Sequence, residues 1–197
     1  MNSFARDFPI VCVGGSAGGS SAYVRLLEHL PPETGAAVVV VNHLRTTPAA
    51  LHNILPHFTK LPVELITEGL PIQPNHVFII PASCDLHVLD GTFRLRPMSK
   101  PNGWPDVITV FLRSLAHNWD GKLVAVIVSG LDSDGAEALR EIKEAGGITI
   151  AQAPDRAEWS DMPASAIKTG YIDHILPIED IARKIAQIAN EFPRKTT

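Results

Sequence analysis

The chain has 197 residues, 45% hydrophobic, 19% charged and 6% aromatic, with a net charge of −4. At about 100–200 residues per domain that is one domain, or at most two small ones, with a substantial core, not a disordered chain or a coiled coil. The acidic balance and scarce aromatics exclude broad attraction to nucleic acid or anionic lipid and a base-stacking surface.

Short β-rich runs alternate with longer helical patterns. Pro9 to Val13 reads as a buried strand ending at Gly14-Gly15, and Ser20 to Leu30 as a helix with Ala22, Leu26, Leu27 and Leu30 on one face, stopped by Pro31-Pro32. Ala36 to Val41 is a continuous run, as expected of a strand covered on both faces. A helix is expected after Pro48, with Leu51, Ile54 and Leu55 inward, then a short strand from Pro62 to Thr67. His76–Ile80, Asp85–Leu89 and Thr92–Arg96 read as three short strands of a β-rich insertion or edge, with a hairpin signal at Asp90-Gly91. The α/β pattern resumes with an amphipathic helix over Pro105–Trp119, a central strand over Leu123–Val128 and a helix over Gly135–Ala145. Ile148–Ala151 and His174–Leu176 are further strands, and Pro163–Thr169 and Ile178–Glu191 further helices. The pattern predicts a single α/β domain over residues 1–197: a doubly wound, mostly parallel sheet, helices on both faces, a small antiparallel hairpin insertion, and flexible ends at 1–8 and 192–197.

Cys12 and Cys84 offer neither a disulfide framework nor metal-ligand spacing. Asp7 interrupts any N-terminal apolar segment, and no stretch approaches the roughly 20 apolar residues of a membrane span. A cytoplasmic protein without a cofactor is expected.

Ligands of parallel α/β sheets sit beyond the carboxyl ends of the strands, which directs attention to three loops. Gly14-Gly15-Ser16-Ala17-Gly18 satisfies G-x-S-x-G, a tight strand-to-helix turn that lifts a serine hydroxyl above the sheet. The helix N-terminus behind it offers N–H groups to an oxyanion. The loop breaks the dinucleotide pattern G-x-G-x-x-G at Ser16 and lacks the lysine of a phosphate loop. An ordinary glycine-rich turn with a capping serine competes on equal terms at this point. The second loop holds Asn42-His43-Leu44, where His43 could act as a base for Ser16. The other seven histidines read as surface or packing residues. In the third, Ser129 to Glu137, Asp132 and Asp134 follow a central strand, and Asp134 with Glu137 also has the spacing of a capping box. The order Ser16, His43, Asp134 departs from the serine, acid, histidine order of α/β-hydrolases, but triads are defined by geometry rather than order.

At these residues the chain resembles the catalytic domain of the chemotaxis protein-glutamate methylesterases, the CheB-type family. The landmarks are Val13 to Gly19, Val41-Asn42-His43-Leu44, Glu68-Gly69, Pro74 to Pro81, Ser129 to Ala136, Ala151-Gln152 and Met162 to Ile167. The resemblance implies a serine carboxylesterase that hydrolyses glutamyl γ-methyl esters on a chemoreceptor or related signalling protein, with glutamine deamidation open to the same chemistry. It assigns Ser16 as nucleophile, His43 as general base and Asp134 as the residue orienting His43. Ala17, Gly18 and Leu131 would give backbone support to the oxyanion. The chain departs from the family pattern at Ala17 (usually Thr), at Asn42 (usually Gln) and over Trp104-Pro105-Asp106-Val107-Ile108, where Arg-Pro-Ser-x-Asp is usual. Only about eight residues precede the first strand, so no phosphorylatable receiver domain is expected, and control would fall to a partner or to expression. The competing expectation is a catalytically impaired module that docks a partner in a non-chemotaxis system; a nucleotide-binding Rossmann-like enzyme is a weaker third.

Overall fold

Val11, Cys12 and Val13 are wholly excluded from solvent, because the strand they belong to, β1 (Ile10–Gly15), lies at the centre of a seven-stranded sheet. The computed structural model describes residues 7–42, 48–100 and 106–191 (for 48 and 49 the backbone only). Of the flexible ends expected at 1–8 and 192–197, residues 1–6 and 192–197 lie outside the described residues; Phe8 packs edge-on against Trp119, ring centroids 5.4 Å apart.

On one side of β1 lies β2 (Ala37–Asn42), then β4 (His76–Ile79), with β3 (Val63–Leu65) at the edge. On the other side are β7 (Leu123–Ile127), β8 (Ile148–Gln152) and β9 (His174–Leu176). Every pairing within this sheet is parallel. The two-stranded antiparallel sheet contains only β5 (Cys84–Leu89) and β6 (Thr92–Pro97). The sequence grouped His76–Ile80 with that hairpin, but β4 is an inner strand of the main sheet. Val77, Phe78, Ile79 and Ile80 are all buried, the unalternating pattern that a strand covered on both faces requires.

Successive residues of β1 feed two separate cores. Val11 and Val13 face α1 (Gly19–His29), α2 (Pro48–Ile54) and α6 (Ile178–Glu191), through Tyr23, Leu26, Leu51, Ile181 and Ile185. Ile10 and Cys12 face α3 (Val107–Asn118), α4 (Leu139–Glu144), α5 (Asp161–Lys168) and the β5–β6 hairpin. The period-2 alternation of a strand sandwiched between helical layers thus produces the doubly wound arrangement. The helix expected from Gly135 begins instead as a 3-10 turn over Ala136–Ala138 and becomes α-helical at Leu139. No helix among the described residues is long and apolar enough to cross a membrane.

The chain runs from β1 to β2 on one side and returns to β7 on the other. The crevice above the carboxyl ends of β1 and β7 is therefore the topological switch point, where open α/β sheets bind ligands.

Candidate active site

Ser16 follows β1 directly and is 4% exposed. Its N–H donates to the Ser129 carbonyl at 3.0 Å, which carries the β1–β7 ladder one step past the sheet, and its own carbonyl accepts the Gly19 N–H at 3.0 Å. The turn closes through Gly18, whose φ of 69° lies in the left-handed region, costly for any residue with a Cβ. Gly15 is required by space: a Cβ there would stand 2.6 Å from the Tyr23 hydroxyl and 2.8 Å from Val128 Cγ2. α1 starts immediately afterwards with no acidic residue in its first turn. The amides of Ala17 and Gly18 stand at the positive end of its dipole and donate to no group among the described residues.

The segment after β7 lies against this turn. A Cβ on Gly130 would sit 3.1 Å from Ser16 Cβ. Gly130 is fixed on both sides, its N–H donating to the Trp159 carbonyl at 3.1 Å and its carbonyl accepting the Met162 N–H at 3.0 Å. Leu131, next in the chain, is 51% exposed.

Asp134 comes from the same loop and is 8% exposed. Its Oδ2 accepts the Ile108 N–H at 2.9 Å, and its Oδ1 accepts the Thr109 N–H at 2.9 Å and the Thr109 hydroxyl at 2.8 Å. Ile108 and Thr109 are in the first turn of α3, so Asp134 caps a helix other than the one that follows it. The capping box expected with Glu137 does not form. Gly135 is the residue preceding the 3-10 turn, with no side-chain cap, and the Glu137 side chain is 80% exposed, 3.8 Å from Arg113. The first-turn amides of α3 supply more donors, with the dipole behind them, than a single local cap would. The Asp134 N–H in turn donates to Asp132 Oδ1 at 2.7 Å.

β2 ends at Asn42, in register with Gly15, so the chain leaves the sheet beside the Ser16 turn. His43, the next residue, lies outside the described residues, as do Trp104 and Pro105. Ser16 and Asp134 thus sit on loops of adjacent central strands. Three of the remaining histidines make local bonds: His29, His76 and His117 each donate from Nδ1 to a backbone carbonyl two or four residues away. A cleft of about 500 Å³ opens beside Asp134 and Thr109, walled by Leu131, Asp132, Asp161 and the Lys100–Asp106 ion pair (2.7 Å). Among the described residues no group of three His, Cys, Asp or Glu side chains could hold a metal ion.

Thr109 carries no sequence signal, since its role depends on α3 meeting a loop some 25 residues further along the chain. Gln152 was visible only as part of the Ala151-Gln152 landmark.

Residues 11–185 match the family model described as CheB methylesterase. The chain is 31% identical over 185 residues to protein-glutamate methylesterase/protein-glutamine glutaminase 2 of Anaeromyxobacter dehalogenans, covering 93% of this chain and 54% of that protein. It is also 31% identical over 178 residues to a putative protein-glutamate methylesterase/protein-glutamine glutaminase of Leptospira interrogans, covering 89% of this chain and 92% of that protein. It thus spans about half the length of the first relative and nearly all of the second. Among solved structures, the Thermotoga maritima CheB methylesterase catalytic domain superposes with a TM-score of 0.83 at 30% identity, covering 91% of this chain and 97% of that one.

Proposed function

Because the chain belongs to the CheB methylesterase family, we propose that it hydrolyses glutamyl γ-methyl esters on a methylated chemoreceptor or related signalling protein, with Ser16 as nucleophile. The observation that carries this reading is the placement of Ser16: it is held on a tight turn at the switch point, at the mouth of α1, against the loop that also delivers Asp134.

In the proposed reaction the Ser16 Oγ–carbonyl bond forms as His43 takes the hydroxyl proton, and the oxyanion is met by the amides of Ala17, Gly18 and Leu131. The carbonyl–methoxy bond then breaks, and His43 returns its proton to methanol. Water repeats the sequence on the glutamyl-enzyme, leaving the γ-carboxylate and a free Ser16. Asp134 orients His43, and the donors from α3 fix the carboxylate in turn. A glutamine side chain would follow the same route with ammonia as leaving group. No resident cofactor enters any step.

Release of labelled methanol from a methyl-labelled chemoreceptor tests the reading. Wild type is expected to release it, with Ser16→Ala and His43→Ala reduced to background and Asp134→Asn reduced less. Release by Ser16→Ala at the wild-type rate would overturn it.

A further inference from the structure

Ser129 is 1% exposed, and its three polar groups make four hydrogen bonds to neighbouring chain segments, among them the Ser16 turn. Its Oγ donates to the Ala17 carbonyl at 2.8 Å and accepts the Trp159 N–H at 2.9 Å. Its carbonyl accepts the Ser16 N–H at 3.0 Å, and its N–H donates to Gln152 Oε1 at 3.0 Å. Gln152, 2% exposed, donates from Nε2 to the Arg156 carbonyl at 3.1 Å. The residue just past β7 therefore ties the turn after β1 to the loop after β8.

From this we infer that Ser129 is a positioning residue for the proposed nucleophile: its hydroxyl, backed by Gln152, sets where the Ser16–Gly18 turn lies relative to Gly130 and Leu131. The inference rests on the reading of Ser16 as nucleophile. The contact leaves little slack, since a Cβ on Gly18 would come within 2.6 Å of Ser129 Oγ. Alanine at 129 keeps both backbone bonds but leaves two part-buried groups, the Ala17 carbonyl and the Trp159 N–H, without the hydroxyl that pairs them. These sit directly behind the oxyanion amides and the Gly130 segment. Losing both bonds frees the two loops to move relative to each other. Displacements near 1 Å in a reacting constellation cost roughly 10²-fold in rate, and the loss falls on kcat because ground-state contacts to substrate are untouched.

The test is steady-state hydrolysis of p-nitrophenyl acetate by the full chain, well below the unfolding temperature, with Ser16→Ala alongside. Ser129→Ala is expected to lower kcat about tenfold to hundredfold with KM within about twofold, whereas Gln152→Leu, which leaves the hydroxyl in place, should lower kcat less. Should Ser129→Ala not fold, Ser129→Cys replaces it. Its longer, weaker hydrogen bonds are expected to lower kcat several-fold, and wild-type kcat in that variant would contradict the role. Inactive Ser16→Ala with wild-type kcat in Ser129→Ala overturns the positioning role alone. Wild-type turnover by Ser16→Ala overturns the nucleophile assignment itself.

Discussion

Asp134 and Thr109 hold each other in a closed arrangement. Asp134 Oδ1 accepts both the amide and the hydroxyl of Thr109, and Thr109 Oγ1 accepts the Gly135 N–H at 2.8 Å. One hydroxyl thus serves as donor and acceptor between α3 and the loop after β7. Replacing it with the isosteric methyl of Thr109→Val leaves the buried Gly135 N–H without a partner, at a cost of about 1–3 kcal/mol. It also removes one of the hydrogen bonds that hold the carboxylate proposed to orient His43. Urea unfolding is expected to show that loss, with a fall of about tenfold in ester hydrolysis, while Thr109→Ser keeps most of both.

The Tyr23 hydroxyl is fully buried with no hydrogen-bond partner among the described residues. Burial, with a smaller contribution from Cys12, holds its proton on far above the usual phenol range. Tyr23→Phe removes an unsatisfied polar atom and is expected to stabilise the protein by roughly 1 kcal/mol, read as a higher urea midpoint. Gly15→Ala pushes a methyl into that hydroxyl and into Val128, costing about 1–3 kcal/mol. A double-mutant cycle should show Tyr23→Phe recovering part of the loss, with coupling near 1 kcal/mol.

Asp173 fastens β9 to its neighbour and to α4. Its Oδ1 and Oδ2 accept from Lys143 at 2.7 and 2.8 Å, and Oδ2 accepts the Thr149 N–H at 2.9 Å. Burial pushes this carboxyl up, but the bonds from Lys143 and Thr149 outweigh it and hold it below its ordinary value of 3.8. A carboxyl whose folded value is depressed adds stability above its unfolded value, and that stability is lost as pH falls through the folded one. The stability difference between wild type and Asp173→Asn is therefore expected to be constant from neutral pH down to about 5 and to shrink below about 4, followed by urea midpoints across that range.

The sheet could be read from the sequence wherever apolar runs do not alternate, as in Val38–Val41 and Leu123–Val128, because a strand covered on both faces needs nothing polar. β4 has the same signature in Val77–Ile80, but its nearness in sequence to the hairpin hid its place in the sheet. Strand pairing between β2 and β4 is a long-range choice that no local pattern encodes. The positions of Ser16 and Asp134 on loops after central strands were legible, because the apolar runs end just before them. The partners of Asp134 were not, because the local spacing to Glu137 suggested a cap that the incoming N-terminus of α3 displaces. Ser129 and Gln152 act by joining loops that only the folded sheet brings side by side.

Covalent capture distinguishes an activated nucleophile at Ser16 from an ordinary serine. Wild-type protein treated with a fluorophosphonate and analysed by peptide mass spectrometry is expected to carry one adduct, on the peptide containing Ser16, with labelling lost in Ser16→Ala and strongly slowed in His43→Ala. An unmodified Ser16 in folded wild-type protein, or an undiminished adduct in Ser16→Ala, would contradict the account.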